Sequence, residues 1–112
     1  MRPGRSLGEI FRDGQAAYAR VGFPDEWRQH HQGGVVGYEP REYLGMPDSA
    51  DKVSIGQALA WNPSIAGAKV EDTILVAPQG NEIITSIAGW PAISVAVPGR
   101  DAAIVCPQAL EI

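Results

Sequence analysis

The residues best suited to chemistry lie in two short segments of this sequence. In the first segment, His30 and His31 are adjacent, and Arg41 is followed by Glu42. A neutral imidazole can act as a base or a metal ligand, and a guanidinium can bind a carboxylate through two parallel hydrogen bonds. Adjacent side chains on extended backbone point to opposite sides. At most one of the two histidines is therefore expected to enter a given site.

The second segment begins the strongest strand pattern in the chain, with Lys69 shortly before Glu71 and Asp72. Glu71 and Asp72 should face opposite sides of that strand. Glu71 is a candidate ligand for a hard metal ion or a candidate acid–base group, and the alternative is an exposed carboxylate. Alternatives also stay open for the first segment. Glu42 could hold Arg41 or orient a base, and the other interpretation is that the two residues form an ordinary exposed ion pair.

Glycines 33, 34 and 37 lie within the first segment, between the two histidines and Arg41. They do not form a dinucleotide-binding fingerprint, since no apolar strand precedes them and no helical pattern follows. Because glycine has no side chain, these positions predict that the backbone closely approaches another strand or a ligand. Cys106 is the single cysteine, which excludes an internal disulfide and a multi-cysteine zinc site. It is expected to be structural, in a reducing compartment such as the cytoplasm.

Composition narrows the function classes. The 112 residues are enough for one domain, 1–112, and the apolar fraction of 45% is that of a globular protein. A net charge of −4 disfavours nucleic acid as a partner. No apolar run reaches the roughly 20 residues that span a bilayer, and the start of the chain lacks the apolar core of a signal peptide. We expect neither a nucleic-acid nor a membrane partner.

One helix and several strands are predicted to position these groups. Ser6 and Glu9 form a capping-box pattern for a helix over 6–21, and Gly22 ends it. Helical spacing places six residues on one face: Leu7, Ile10, Phe11, Gly14, Tyr18 and Val21.

The rest of the chain, 32–106, reads as β-rich, with a loop over 44–54 and another short helix allowed. Strands are predicted over 33–38, 57–61, 71–77 and 82–85, and a final hairpin pairs 92–97 with 102–106 around a turn at 98–101.

Three segments in order resemble the second half of the "pita-bread" catalytic domain shared by methionine aminopeptidase, prolidase, Xaa-Pro aminopeptidase and creatinase. They are HHQGGVVGYEPRE, WNPSIAGAKVEDTILV, and NEIIT followed by WP, and RPGRSLGEIF precedes them. The first is similar to the family's H-x-x-x-H-x-x-G-x-x-x-H-[DE] and the second to its E-P-G-…-R-x-E-D-x-x-x-V. The resemblance runs from about Arg2 to Pro91. It implies an α+β fold, with an N-terminal helix packed on a curved antiparallel sheet of four to six strands.

The metallopeptidases of that family hold two divalent metals with two Asp, one His and two Glu. A gap-free alignment places His30 on the first histidine of the motif and Gly34 on the ligand histidine. Placing His31 on the ligand position instead requires a three-residue insertion. Asn62 takes the place of the first ligand glutamate, and Glu71 retains the second.

The resemblance therefore implies a hydrolase domain related to Xaa-Pro dipeptidases and aminopeptidases, with a degenerate metal site. The family's paired aspartates come from the first half of its domain, and no matching pair occurs here. Glu71 is the retained ligand, with His31 as a second in the alternative alignment. Divalent metal (Mn, Co or Zn) is expected only if the missing half is supplied, so the chain is not expected to act as an autonomous dimetal peptidase.

Creatinase uses the same fold without metal, and its motif carries Arg-Glu where Arg41 and Glu42 stand. This branch implies catalytic roles for His30, Arg41 and Glu42. It implies substrate binding by His31, Arg41 and Asn62, with Arg41 on the substrate's carboxylate. Two alternatives to the degenerate peptidase thus stay open: a metal-free creatinase-like hydrolase, and a non-catalytic pseudo-peptidase that serves binding or assembly.

A half domain also implies partners. Separating the halves would leave sheet edges and an apolar face uncovered, so a homodimer is expected. The expected ligand is a small peptide or another carboxylate.

Overall fold

The computed structural model describes residues 1–99 and 101–109 and confirms the α+β class. Helix α1 spans Leu7–Arg20, and a short 3-10 helix spans Glu26–Arg28. The strands of this described part are β1 (Gly33–Val36), β2 (Tyr43–Leu44), β3 (Ala58–Trp61), β4 (Ser64–Ile65), β5 (Ala68–Lys69), β6 (Asp72–Ala77), β7 (Gly80–Ile83), β8 (Ala92–Val95) and β9 (Ile104–Pro107). Arg100, in the predicted turn at 98–101, lies outside the described residues.

Five strands form one antiparallel sheet in the order β2-β1-β3-β6-β7, as the prediction of four to six strands requires. Two hairpins, β4-β5 and β8-β9, form separate two-stranded sheets. No helix in the described ranges has both the length and the apolar character needed to span a bilayer.

Helix α1 begins at the predicted capping box. The Glu9 backbone N–H donates to Ser6 Oγ at 3.2 Å, and the Ser6 backbone N–H donates to Glu9 Oε2 at 2.7 Å. The Glu9 carboxylate thus accepts from the Ser6 backbone N–H, and it also accepts from the Ser6 hydroxyl at 3.2 Å; these two bonds, the backbone one first, lower the pKa of Glu9. The helix packs on one face of the sheet, and the buried cluster between them consists of Leu7, Ile10, Val35, Val53, Leu59 and Val76.

The prediction that Val21 belongs to the buried face of the helix is wrong. Val21 is 66% exposed, because the helix ends at Arg20 and the backbone of Val21 has already left the helical conformation. Phe11 and Tyr18 are buried as predicted.

Some strand limits differ from the predictions. Strand β1 ends at Val36 rather than at position 38, because the Gly37 backbone N–H turns to donate to Glu39 O at 3.1 Å. The hairpin after β6 is tighter than predicted: Ala77 pairs directly with Gly80, so β7 starts two residues earlier. The φ of 146° at Gly80 lies outside the range that side-chain-bearing residues favour.

Candidate functional site

The two adjacent histidines, in the bend before β1, have different environments. His31 is exposed, whereas His30 is partly buried between two oxygen atoms. Its Nδ1 lies 2.6 Å from the His31 carbonyl oxygen, and its Nε2 lies 2.5 Å from Ser64 Oγ. A carbonyl oxygen only accepts hydrogen bonds, so in neutral His30 the proton is assigned to Nδ1. Nε2 is then the acceptor for the Ser64 hydroxyl.

A buried tyrosine fixes the serine of this pair. The Ser64 backbone N–H donates to the Tyr18 hydroxyl at 2.7 Å, and the same hydroxyl lies 2.9 Å from both Ser64 O and Gln32 Oε1. Gln32 Nε2 in turn donates to the Trp27 and His30 carbonyl oxygens at 3.1 Å. Sequence reasoning placed Tyr18 on the buried helix face but missed its bonds to Gln32 and Ser64. These contacts join distant parts of the chain, and no local pattern signals them.

Arg41 and Glu71 meet across the sheet. Arg41 Nη2 lies 3.2 Å from Glu71 Oε1, and Lys69 Nζ lies 3.0 Å from Glu71 Oε2. The hydrogen bond from Lys69, assisted by Arg41, lowers the pKa of Glu71 against the opposing effect of burial. Glu71 is therefore an ionised carboxylate with a cation on each oxygen.

Glu42 does not hold Arg41, which was one of the roles considered from the sequence. Its Oε1 instead accepts from the Glu39 backbone N–H at 3.1 Å. A Cβ at Gly37 would lie 2.8 Å from this oxygen, so the glycine makes room for it. Glu42 stabilises the connection between β1 and β2, and Arg41 pairs with Glu71.

Asn62 is buried, with 6% of its surface exposed, and backbone carbonyl groups surround its side-chain amide. Its amide is assigned with Nδ2 toward two carbonyl oxygens, at 3.1 Å from His31 and 2.8 Å from Gln32. In this orientation Nδ2 donates to both, while the Asn62 backbone N–H also donates to Gln32 O at 2.9 Å. The side chain therefore ties the end of β3 to the segment before β1.

Gly34 lies in the middle of the sheet, paired with Leu44 on one side and Ala60 on the other. A Cβ placed on Gly34 would overlap the carbonyl oxygen of Tyr43. The sequence predicted that the backbone would closely approach another strand or a ligand at these glycines. At Gly34 the neighbouring group is the backbone of β2. A side chain at position 34 requires β2 to move.

The register brings the three positions compared with metal ligands to one face of the sheet. Gly34 pairs with Ala60, and Asn62 and Glu71 lie just beyond the paired Trp61 and Asp72. Alternate residues of a strand share a face, so positions 34, 62 and 71 lie on the same side.

Each of these positions either lacks a side chain or has one that is already bound within the chain. Gly34 has no side chain, the amide nitrogen of Asn62 faces carbonyl oxygens, and both oxygens of Glu71 bind cations. Hard cations need several oxygen ligands with compensating charge. In the part of the chain that the structure describes, no three His, Cys, Asp or Glu side chains gather around a common point.

An apolar groove of about 450 Å³ lies between α1 and the β4-β5 hairpin. Aromatic rings form much of its wall: Phe11 contacts Trp27 edge-on at a centroid distance of 5.4 Å and Trp61 at 6.3 Å. Ser64 and Lys69 also line it. The groove therefore adjoins both the His30–Ser64 pair and the Glu71 cluster. The sequence did not reveal it, because its walls come from separate elements.

Comparison with known proteins supports the architecture. A prolidase from Pyrococcus horikoshii OT3 matches with a TM-score of 0.66 and 23% sequence identity, over 76% of this chain and 26% of that chain. The chain thus has the pita-bread type of fold, and it spans about a quarter of the prolidase's length. Neither the protein-family models nor the curated proteins gave a match.

Proposed function

We propose that this chain corresponds to the C-terminal half of a pita-bread domain related to Xaa-Pro peptidases and creatinase, with a degenerate metal site. It is not an autonomous dimetal peptidase. Its own remaining activity is to bind the carboxylate of a small peptide or a similar acid, through Arg41 and Lys69 beside Glu71.

One observation carries this proposal: Glu71 is flanked by two cations, at 3.2 Å and 3.0 Å from its two oxygens. The trio of Arg41, Lys69 and Glu71 has a net charge of +1. A divalent cation is repelled by such a cluster, whereas a carboxylate is attracted. Arg41 is only 19% exposed, so water screens its charge less than that of a fully solvated arginine.

The direct test compares Gly-Pro with Gly-Pro amide, which has the same shape but lacks the terminal carboxylate. Isothermal titration should show that the acid binds about 10-fold more tightly, since a hydrogen bond to a charged group contributes about 1.5–3 kcal/mol. Arg41→Gln should remove this preference. Arg28→Gln is the matched control, because Arg28 forms an exposed pair with Asp25. Equal affinities for acid and amide would refute carboxylate binding.

Metal is tested on the same preparation. After incubation with Mn²⁺, Co²⁺ or Zn²⁺ and desalting, elemental analysis should find far less than one bound ion per chain. Two retained ions per chain would overturn the degenerate-site proposal without bearing on the groove or on Ser64.

The enzymatic alternative has a separate test. A first-half domain from a related prolidase, added to this chain, should not produce dipeptide or creatine hydrolysis above the level of that domain alone. Turnover that depends on His30 and Glu71 would favour a split hydrolase over a binding domain.

Self-association is the remaining part of the proposal. β2 and β7 form the two edges of the main sheet, and β2 exposes Tyr43 and Leu44. Unpaired strand edges favour pairing with another chain. Sedimentation should show a dimer that dissociates on dilution, and a monomer at high concentration would contradict this expectation.

A further inference from the structure

The contacts of His30 point to chemistry that the carboxylate site does not use. One ring nitrogen faces a backbone carbonyl and the other faces the hydroxyl of Ser64. The carbonyl of His31 orients the imidazole, the imidazole accepts from the hydroxyl, and the hydroxyl is thereby made more nucleophilic. A nucleophile, a base and a group that orients the base are the three parts of an activated serine.

The serine itself is held in place. Ser64 begins β4, its backbone N–H and carbonyl both meet the Tyr18 hydroxyl, and Tyr18 is buried. A fixed nucleophile loses little entropy on reaching a substrate.

The groove determines which substrates fit. Ser64 belongs to its wall, and the rest is mainly aliphatic and aromatic, with Phe11, Trp27 and Trp61 prominent. Its volume of about 450 Å³ falls in the range of small-molecule sites, roughly 300–1,000 Å³. An acyl chain or ring bound there would be stabilised further by each methylene that it buries.

We propose that Ser64 is a nucleophile activated by His30 and that it accepts the acyl group of carboxylic esters whose apolar part lies in this groove. As Oγ attacks the carbonyl carbon, its proton passes to His30 Nε2. The carbon–oxygen bond to the alcohol then breaks, and the alcohol leaves with that proton. Water, activated in the same way by His30, cleaves the Ser64 ester, so that the carboxylic acid is released and the hydroxyl restored.

A fluorophosphonate with a decyl chain tests the nucleophile on the whole chain. Ser64 Oγ forms a bond to phosphorus, the phosphorus–fluorine bond breaks, the proton goes to His30 and fluoride leaves. Peptide mass spectrometry should find one adduct, on Ser64. Ser64→Ala should remove it, and His30→Gln should slow labelling about 100-fold, the lower range for loss of a general base. Ser86→Ala, at an exposed serine, should have no effect.

The role of the groove is tested separately, by varying the length of the alkyl chain on the reagent. Gly14 lines it, and a Cβ there would contact nothing within 4 Å, so Gly14→Leu adds an apolar side chain to this wall of the groove. This variant should slow labelling by the decyl reagent at least 10-fold and leave an ethyl reagent unaffected. Ala16→Leu, at an exposed position of α1, is the matched control. Circular dichroism confirms that each variant is folded.

Three results would overturn the proposal: an unmodified Ser64 in the wild-type chain, labelling that is independent of His30, or equal rates for decyl and ethyl reagents. The first needs no variant, so it stands even if a substitution impairs folding. None of the three depends on whether Arg41 binds carboxylates.

Discussion

Arg41 Nη2 lies 3.2 Å from Oε1 of Glu71, although the two residues are 30 positions apart in the chain. The pair joins the connection between β1 and β2 to the start of β6. Lys69 completes the arrangement from the other side of the carboxylate. A glutamate that the sequence suggested as a metal ligand is thus part of an ion-pair network.

The first prediction concerns acid stability. The pKa of Glu71 is lowered in the folded chain, so its contribution is present above the ordinary value of 4.5 and is lost as pH falls through the folded-state pKa. Glu71→Gln should reduce the free energy of unfolding at pH 7 by less than about 1 kcal/mol, because the pair is partly exposed. The difference from wild type should shrink below pH 4.5. Urea unfolding at several pH values measures it, with Glu82→Gln as the control; a difference that grows in acid would contradict the assigned pairing.

The second prediction concerns Gly34. Gly34→Ala should destabilise the chain by roughly 1–3 kcal/mol, because the added carbon overlaps the Tyr43 carbonyl oxygen. Gly14→Ala is the opposite case, in a helix with open space around the new carbon, and should stabilise by about 0.5–1 kcal/mol. Chemical denaturation of both variants gives the comparison. Similar effects at the two glycines would mean that β2 does not approach β1 this closely.

A third prediction follows from the amide of Asn62. Asn62→Asp replaces a donor between two carbonyl oxygens with a buried negative charge, which should cost about 2–4 kcal/mol at neutral pH. The loss should lessen in acid, because a protonated carboxyl can again donate. Gln79→Glu changes an exposed amide to a carboxylate and should have little effect. Thermal melts at pH 7 and pH 4 measure this; tolerance of the aspartate at neutral pH would mean that the side chain faces elsewhere.

The fourth prediction concerns the buried hydroxyl of Tyr18. Tyr18→Phe leaves the Ser64 backbone N–H and Gln32 Oε1 without this partner, so the free energy of unfolding should fall by about 1–3 kcal/mol. Tyr38→Phe, at a residue that is 99% exposed, should change it by less than about 0.5 kcal/mol. Hydrogen exchange at the Ser64 amide should also accelerate in Tyr18→Phe. An unchanged rate would mean that the hydroxyl does not bind this amide.

The elements that depend on local signals were predictable. The capping-box pair of Ser6 and Glu9, three residues apart, predicted the start of α1. The run of β-forming residues after Glu71 predicted β6. The helix and this strand appear within one residue of the predicted limits, because capping and side-chain alternation act over a few neighbouring positions.

Features that depend on distant pairing were not predictable in the same way. β2 has only two residues, Tyr43 and Leu44, and exists because β1 lies beside it. The sequence suggested the adjacent Glu42 as the partner of Arg41. In the folded chain Arg41 pairs with Glu71 instead, because the sheet brings these two residues together. The contacts of Ser64 could not be predicted from local patterns, because Tyr18 and His30 lie 46 and 34 residues away from Ser64 in the chain.

The tight packing of Gly34 against Tyr43 has an evolutionary consequence. Any single mutation that adds a side chain at this position is penalised by the misfit before it can bring a benefit. A displacement of the neighbouring backbone would have to arise first. Close packing at a single glycine can thus keep a position without a side chain through stepwise change.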